Sequence, residues 1–254
     1  MTGNNKTIVV LPAYNEEEAI EALLERFQNL AGKNPGLNLQ IVLIDDGSTD
    51  KTVEIAETFR DGVPLEIVNH DKNRGLGEAV RTCLKEGIKR AESDDDIIVS
   101  MDADNTHLPK YIPDLVERIQ SGADIAIASR FRPGSEEVGV PFLRRLYSRG
   151  ARMLFAIFLR LPGVRDYTCG YRAYRVSLIR RALSDYGDDI IARNGFACTD
   201  DLLVRLSGYT DNISEVPFVL RYDHKIGESK LPLFTTIMET LKLLFFRKKG
   251  PPKN

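Results

Sequence analysis

The sequence predicts an α/β fold with a mostly parallel sheet and helices on both of its faces. Three observations predict it. Segments such as residues 6–12 and 39–46 are almost continuously apolar, segments with helical periodicity separate them, and polar clusters follow the ends of the apolar runs. Near-continuous apolar strands are typical of parallel sheets that are buried on both faces. The 254 residues suit one large α/β domain or two small ones.

The elements are expected to alternate along the chain. Turn and capping residues precede each apolar-periodic segment, and Pro141 is well placed to start a later helix. The predicted strands are residues 6–12, 39–46, 65–70, 96–104 and 123–130, and the predicted helices are residues 16–31, 47–60, 75–91 and about 141–161.

Composition narrows the function classes. A net charge of −2 argues against general nucleic-acid binding, but residues 141–181 contain ten arginines and a single acid, Asp166, which suggests an anionic partner. Three cysteines without CxxC spacing and three scattered histidines argue against a disulfide framework or a zinc site. The N-terminal residues show no signal peptide, and no apolar run approaches about 18 residues, so we expect a cytoplasmic chain without a spanning helix.

Polar clusters follow four of the predicted strands. In open parallel sheets, ligands bind beyond the carboxyl ends of the strands, where these clusters would meet. A set of four is difficult to attribute to turns alone, although aspartate is a common turn residue. The clusters are residues 14–16, Asp45 with Asp46, Asp102 with Asp104, and Arg130.

Asp102 and Asp104 have the spacing of a divalent-cation site. Hard cations such as Mg²⁺ take oxygen ligands, often one or two carboxylates together with substrate phosphates. Glu16, Asp45 and Asp46 carry oxygens that can accept hydrogen bonds from a nucleobase or a ribose. A Walker-type phosphate loop is absent, and residues 74–79 contain only half of a dinucleotide fingerprint.

Four segments, LPAYNEEEAI, VLIDDGSTDKT, NRGLGEA and MDADNTH, occur in this order and resemble the family 2 glycosyltransferases of the GT-A fold. The resemblance covers about residues 6–230, so we expect a GT-A domain over residues 1–230. Later segments, including LRRLYSRGA, TCGYRAYR and EVPFVLRYDHKIGESKL, are similar to the dolichol-phosphate mannosyltransferase branch. That branch transfers a hexose from a nucleotide diphosphate to a polyprenyl phosphate.

The resemblance implies a donor pocket and a metal ion, Mg²⁺ or Mn²⁺. Asp102 would contact the ribose or the metal, Ala103 would lie against the donor, and Asp104 would be the main metal ligand and a catalytic residue. The branch often has Gln two positions later, where this chain has Thr106; a hydroxyl is a shorter and weaker ligand, and water is the alternative. The nucleotide pocket would be lined by Pro12, Tyr14, Glu16, Asp46 and also Asp45.

The resemblance also implies where the phosphates bind. Arg130, the second catalytic candidate, would contact phosphates, and Arg221 and Lys230 would lie near the donor diphosphate. Arg144 and Ser148 are four residues apart, hence on one face of a helix, and could clamp the acceptor phosphate together with Arg130. GDP-mannose is the favoured donor, and a UDP-hexose is the alternative.

Two segments suggest peripheral attachment to the cytoplasmic face of a membrane. Residues 153–159 are wholly apolar and are followed by Arg160, which is typical of an interfacial helix. Residues 231–254 are expected to form an amphipathic helix with a basic tail, which anionic headgroups would attract. The alternatives are helices that pack on the domain's own core or in a dimer interface. A separate membrane-anchoring subunit is a further possible partner.

The predicted reaction is an inverting displacement that needs no general base, because a polyprenyl phosphate is already ionised. A transferase that acts on a sugar hydroxyl would need a base, for which Asp200 and Asp201 are the candidates. Their other interpretation is an acidic first helical turn with Thr199 as the N-cap. The third hypothesis is a non-catalytic module that binds a sugar nucleotide or a membrane.

Overall fold

The computed structural model describes residues 5–192, 195, 197–225, 238–239 and 241–242. The strands are β1 Thr7–Ala13, β2 Leu39–Asp45, β3 Leu65–Asn69, β4 Ile97–Ser100, β5 Ile125–Ser129, β6 Glu136–Val138, β7 Arg172–Arg175, β8 Ile213–Pro217 and β9 Val219–Arg221. The α-helices are α1 Ile20–Lys33, α2 Thr52–Glu57, α3 Leu76–Arg90, α4 Ile112–Gln120, α5 Phe142–Phe158, α6 Val176–Tyr186 and α7 Cys198–Leu206, and short 3₁₀ turns occur at Pro109–Tyr111, Gly187–Ile190 and Tyr222–His224.

Seven strands form one mixed sheet in the order β3-β2-β1-β4-β7-β5-β8. β7 is antiparallel to both of its neighbours, β4 and β5, whereas the other pairs in this sheet are parallel. β6 and β9 form a separate two-stranded parallel ladder. The carboxyl ends of β1, β2, β4 and β5 therefore point to the same edge of the main sheet.

Helices cover both faces of the sheet, as predicted. Ile8, Val9, Val10 and Leu11 are consecutive in β1 and all are inaccessible to solvent. Since successive side chains in a strand point to opposite faces, both faces must be packed. On one side of the fold α1 contacts α2, while α3 contacts β1, β2, α6 and α7.

The start of α1 differs from the prediction in a way that affects the site. α1 begins at Ile20 rather than at residue 16, because residues 14–17 form a loop tied to the loop after β2. In that contact the Asn15 N–H donates to Ser48 Oγ at 2.9 Å and the Glu16 N–H donates to Thr52 Oγ1 at 2.8 Å. The short strand β7 was not predicted.

Gly47 shows why the loop after β2 needs a glycine. Its φ is +73°, and a Cβ atom at this position would lie 2.4 Å from the backbone carbonyl carbon of Lys72. Only glycine combines this backbone conformation with so close an approach. The contact joins the loop after β2 to the loop that leads into α3.

The C-terminal half contains one of the two predicted amphipathic helices in full. α5 begins directly after Pro141, as its sequence predicts, and ends at Phe158, about three residues before the predicted end. The predicted helix in residues 231–254 lies outside the described residues except for positions 238–239 and 241–242, which are helical. None of the helices in the described ranges has the length and apolar content that crossing a bilayer requires.

Candidate active site

A cavity of about 410 Å³ opens at the carboxyl edge of the main sheet. Its lining includes Pro12 from the end of β1, Asp102 and Asp104 after β4, and Arg130 after β5, together with Ser148 from α5. The strand-end clusters therefore meet in one place, as the fold predicts. Of the remaining predicted site residues, Tyr14, Glu16, Asp46, Ala103, Thr106 and Arg144 also line this cavity.

The loop after β4 is held by its own side chains. Asn105 has a φ of +60°, and the Thr106 hydroxyl donates to Asp104 Oδ1 at 2.7 Å. The Asp102 N–H donates to Nδ1 of buried His107 at 3.1 Å, and the His107 ring stacks on Tyr171 with centroids 5.2 Å apart. Sequence reasoning overlooked His107, although it closes the MDADNTH motif, because it was considered only as a metal ligand.

Asp104 also has a charged partner that the sequence analysis did not identify. The Lys225 ammonium donates to Asp104 Oδ2 at 2.5 Å inside the cavity. Burial tends to raise the pKa of the Asp104 carboxyl, but Lys225 and His107 outweigh it and hold that pKa below its usual value. Asp104 is therefore a carboxylate at neutral pH. Burial raises the pKa of the neighbouring Asp102 carboxyl, and the charge of Asp104 adds to the rise.

The carboxylate oxygens of this cavity suit a divalent ion whose remaining coordination positions are filled by a bound substrate. Within the described ranges no group of three or more histidine, cysteine or acidic side chains is arranged so that it could hold a metal ion by itself. Two carboxylates, Asp102 and Asp104, nevertheless suffice for Mg²⁺ when substrate phosphates supply further oxygens. Thr106 is oriented towards Asp104 rather than towards an open ligand position. The metal role of these three residues stays a prediction.

The two adjacent acids after β2 differ in position. Asp45 accepts the Ser48 N–H at 3.1 Å and closes a turn outside the cavity. Asp46 lines the cavity, but its oxygens accept the backbone N–H groups of Arg74 and Gly75 at 2.9 Å, and His70 Nδ1 lies 2.7 Å away. Both carboxylates thus satisfy N–H groups of this chain, and of the two only Asp46 is positioned to contact a nucleotide.

Arg130 is paired with a buried carboxylate. Its Nε and Nη2 donate to the two oxygens of fully buried Asp166 at 2.8 and 2.6 Å, and its Nη1 donates to Ser148 Oγ at 3.1 Å. Burial opposes the charges, yet the pairing raises the pKa of Arg130 and lowers that of Asp166. The pair is nearly neutral as a unit, so Arg130 offers a fixed hydrogen-bonding edge more than a free positive charge.

α5 brings two more predicted residues to the same wall. Ser148 is buried beside Arg130, and the Arg144 guanidinium lies 5.0 Å from the centroid of the Tyr222 ring. All of these residues line the cavity. Arg130, Arg144 and Ser148, which the sequence analysis grouped as an acceptor-phosphate site, are therefore brought together by the fold.

Asp200 and Asp201 have different environments. Asp201 accepts the Ala192 N–H at 2.8 Å and pairs with Arg205 at 3.2 Å, outside the cavity. Asp200 lines the cavity, is only 3% exposed, and its Oδ1 has no hydrogen-bond partner among the residues that the structure describes. Burial raises the pKa of Asp200 to about 7. Thr199 is not the N-cap that was expected, because α7 begins one residue earlier, at Cys198.

Arg221 is not among the residues that line the cavity, and its role near the donor diphosphate stays a prediction. Its guanidinium pairs with Asp223 at 2.7 Å, while its neighbours Leu220 and Tyr222 line the cavity. Lys225 supplies a cation there instead, and Lys230 lies outside the described residues.

Several arginines of the arginine-rich stretch, residues 141–181, form contacts within the chain. Of its ten arginines, all within the described ranges, only Arg144 lines the cavity. Arg172 is fully buried and donates to backbone carbonyls, Arg175 pairs with Asp124, and Arg180 pairs with Asp94. Acids from distant segments pair with Arg175 and Arg180, and the expectation that the stretch marks an anionic partner stays a prediction.

Residues 8–183 match the family model described as Glycosyl transferase family 2. The chain belongs to this family. The predicted class of enzyme, a glycosyltransferase, is thereby confirmed at the level of the family.

Two relatives carry more specific names. A dolichol-phosphate mannosyltransferase of Pyrococcus furiosus is 34% identical over 241 residues, which are 94% of this chain and 63% of that protein. The chain thus spans slightly less than two thirds of that relative. A polyprenol monophosphomannose synthase of Mycolicibacterium smegmatis is 30% identical over 228 residues, covering 89% of this chain and 81% of that protein.

Solved structures confirm the predicted fold. Glucosyl-3-phosphoglycerate synthase from Mycobacterium tuberculosis, in complex with Mn²⁺, uridine diphosphate and phosphoglyceric acid, aligns with a TM-score of 0.69. The identity is 23%, and the alignment covers 98% of this chain and 80% of that one. At this identity the likeness concerns the fold alone.

Proposed function

We propose that this glycosyltransferase moves a hexose from a nucleotide diphosphate to a polyprenyl or dolichyl phosphate. Mannose from GDP-mannose is the favoured donor, and a UDP-hexose is the alternative. The names of the two relatives at 30% and 34% identity support the acceptor class. The observation that carries the proposal is the meeting of Arg130, Arg144 and Ser148 with Asp102 and Asp104 in one cavity.

The carboxylate side of the cavity suits the donor. Asp102 and Asp104 would hold Mg²⁺ or Mn²⁺, and such an ion neutralises charge on the departing diphosphate. Asp46, Tyr14 and Glu16 would face the nucleoside. A glucosyl-3-phosphoglycerate synthase of the same fold has been crystallised with Mn²⁺ and uridine diphosphate, which is in keeping with this proposal.

The acceptor side suits a phosphate monoester. Such a group is largely ionised at neutral pH, so its oxygen attacks the anomeric carbon without a base. The new C–O bond forms as the bond between the anomeric carbon and the diphosphate oxygen breaks, and the nucleoside diphosphate leaves with that electron pair. Arg144 and Ser148 would orient the nucleophile, and the Arg130–Asp166 pair would fix the position of Ser148. Attack opposite the leaving group inverts the anomeric centre.

The exposed face of α5 supports attachment to a membrane. At about 100° per residue, Phe142, Leu146, Met153 and Ile157 share one side of the helix, opposite the side that carries Ser148. Phe142 is 73% exposed and Met153 61% exposed. Contiguous exposed apolar side chains mark an interaction surface. We take a bilayer as the occupant, because the acceptor's phosphate would then enter from the buried side of the same helix.

Vesicle binding tests this attachment. We expect Leu146→Glu with Met153→Glu to weaken co-sedimentation with phosphatidylcholine–phosphatidylglycerol vesicles by at least about tenfold, since each loses apolar burial. Lys89→Glu on α3 alters the net charge by the same amount and is the matched control. Equal binding of the double variant would refute a role of α5, and concentration-dependent dimerisation that the double variant abolishes would identify a second copy as the occupant instead. The division into a domain over residues 1–230, an amphipathic segment over 231–254 and a possible anchoring subunit belongs to the same proposal.

One observation favours a second candidate, transfer to a saccharide hydroxyl. Asp200 is a buried cavity carboxyl with a pKa near 7, which suits a general base. Asp200→Asn should nearly abolish such a reaction and should leave transfer to a phosphate largely intact. Arg144→Ala should show the opposite pattern.

Transfer itself is tested with a labelled donor. The full chain is incubated with each common GDP- or UDP-sugar, Mg²⁺ or Mn²⁺ and a short polyprenyl phosphate, and the product is extracted into organic solvent. We expect label in the organic phase, most with GDP-mannose. Label that passes only to a soluble saccharide would favour the second candidate, and no transfer from any donor would favour a non-catalytic binding module.

A further inference from the structure

The Lys225 ammonium lies where it would compete with a bound metal ion for the Asp104 carboxylate. It contacts Asp104 Oδ2, while Thr106 donates to Asp104 Oδ1. Both oxygens of the predicted metal ligand are therefore engaged by groups of this chain. The side chains of Lys225 and Asp104 are only 13% and 15% exposed, so the pair lies largely away from solvent.

Thr106 and Lys225 differ in what a divalent ion would require of them. The Thr106 hydroxyl is neutral and bonds one lone pair of a carboxylate oxygen, so it can stay when a metal binds. The Lys225 ammonium is positively charged and lies against Asp104 Oδ2. Two like charges at contact distance repel strongly in a partly buried site. A cation that binds Asp104 must therefore displace the ammonium.

The local structure allows this displacement. The Lys225 N–H donates to the Tyr222 carbonyl at 3.2 Å and completes the short turn at residues 222–224. The backbone is thus fixed, whereas the ammonium sits at the end of a flexible four-carbon chain. Lys225 lines the same cavity as Arg144 and Tyr222, so a displaced ammonium remains beside the space that a diphosphate would fill.

We infer that Lys225 is an exchangeable cation on Asp104, one that holds the carboxylate before the donor arrives, yields it to the divalent ion and then binds the donor diphosphate. This inference rests on the proposed donor site. It makes Lys225 a positioning residue that links metal binding to nucleotide binding. Affinity for the metal alone is then low, and affinity for the nucleotide in the presence of metal is high.

The test is a Mn²⁺ titration of the full chain without nucleotide, followed by the electron paramagnetic resonance signal of free Mn²⁺. We expect Lys225→Met to bind Mn²⁺ roughly tenfold more tightly than the original chain, because a competing charge-assisted hydrogen bond is lost. With saturating Mn²⁺, the same variant should bind GDP or UDP several-fold less tightly. Lys110→Met, which removes an exposed lysine that lies over Tyr111, should change neither affinity.

The opposite signs of the two changes distinguish exchange from a merely structural role, which would move both affinities in the same direction. Lys225→Arg retains the charge and should keep Mn²⁺ affinity low. Unchanged or weaker binding of Mn²⁺ by Lys225→Met would overturn the inference, and so would the absence of Mn²⁺ binding by every variant. Neither titration contains a polyprenyl phosphate, so the outcome is independent of whether the proposed acceptor is correct.

Discussion

The two sides of the cavity are built in different ways. On the proposed donor side, the acids that follow β2 and β4 accept hydrogen bonds from loop groups, as in the contacts of Asp46 with the Gly75 N–H and of Asp104 with the Thr106 hydroxyl. On the acceptor side, Arg130 is fixed by Asp166, 36 residues further on, and the neighbouring helix exposes an apolar face. The donor side is thus a preformed polar site, whereas the acceptor side joins polar residues of the cavity to the exposed apolar face of α5.

Removal of the Asp104 charge should have the largest effect on activity. Asp104→Asn loses a proposed metal ligand and the partner of Lys225, so we expect transfer to fall by at least about 100-fold. Asp94→Asn, at an exposed acid paired with Arg180, is the control and should transfer normally. Full activity of Asp104→Asn would contradict the proposed role of Asp104 in the donor site.

Disruption of the Arg130–Asp166 pair should have the largest effect on stability. Asp166→Asn leaves a buried guanidinium without its counter-ion, which should cost about 3–5 kcal/mol at pH 7 in urea unfolding. Although burial raises it, the pKa of Asp166 is held below its usual value by Arg130. Its stabilisation is therefore complete above about pH 4 and is lost as the pH falls through the lowered pKa. A deficit that persists unchanged in acid would contradict this cause.

A smaller and more selective effect is expected at Arg144. Arg144→Ala should raise KM for polyprenyl phosphate by about 10- to 100-fold, the usual range for a lost hydrogen bond to a charged group. KM for the sugar nucleotide should not change. Arg145→Ala is the matched control, because Arg145 Nε donates to the Val140 carbonyl and its side chain does not line the cavity. Equal effects of the two variants would show that Arg144 has no specific role in acceptor binding.

The smallest effect on transfer to a phosphate is expected at Asp200, where the measurable change is the pH dependence of stability. Because burial raises the pKa of Asp200 to about 7, the folded chain retains a proton that the unfolded chain loses above about pH 4. Stability from this group therefore declines as the pH rises from about 4 to about 7. Asp200→Asn should match the original chain near pH 4 and melt several degrees higher at pH 8. Identical melting curves at both pH values would show that Asp200 ionises normally.

The separation of contacting residues along the chain, rather than the side of the cavity, explains what the sequence could predict. β1 to β5 and the clusters at their ends are local signals, in which an apolar run ends in polar residues. β7 escaped prediction because its four residues, RAYR, begin and end with arginine, and its place between β4 and β5 depends on distant partners.

The unpredicted contacts of the site are mostly long-range. Asp166 was seen only as the single acid in a basic stretch, and its pairing with Arg130 needs the fold to bring the two together. Lys225 and Asp104 are 121 residues apart, and no local pattern marks them as partners. Whether the Arg221 side chain faces the cavity depends on the register of β9, which no local pattern in the sequence fixes.

The most direct test of the account compares one acceptor with and without its phosphate. Initial rates of transfer from labelled GDP-mannose are measured with a short polyprenyl phosphate and with the corresponding polyprenol, for the original chain and for Arg144→Ala. We predict transfer to the phosphate alone, at a rate that Arg144→Ala lowers under limiting acceptor. Comparable transfer to the alcohol, or a rate that Arg144→Ala leaves unchanged, would contradict the claim that this cavity joins a sugar nucleotide to a lipid phosphate.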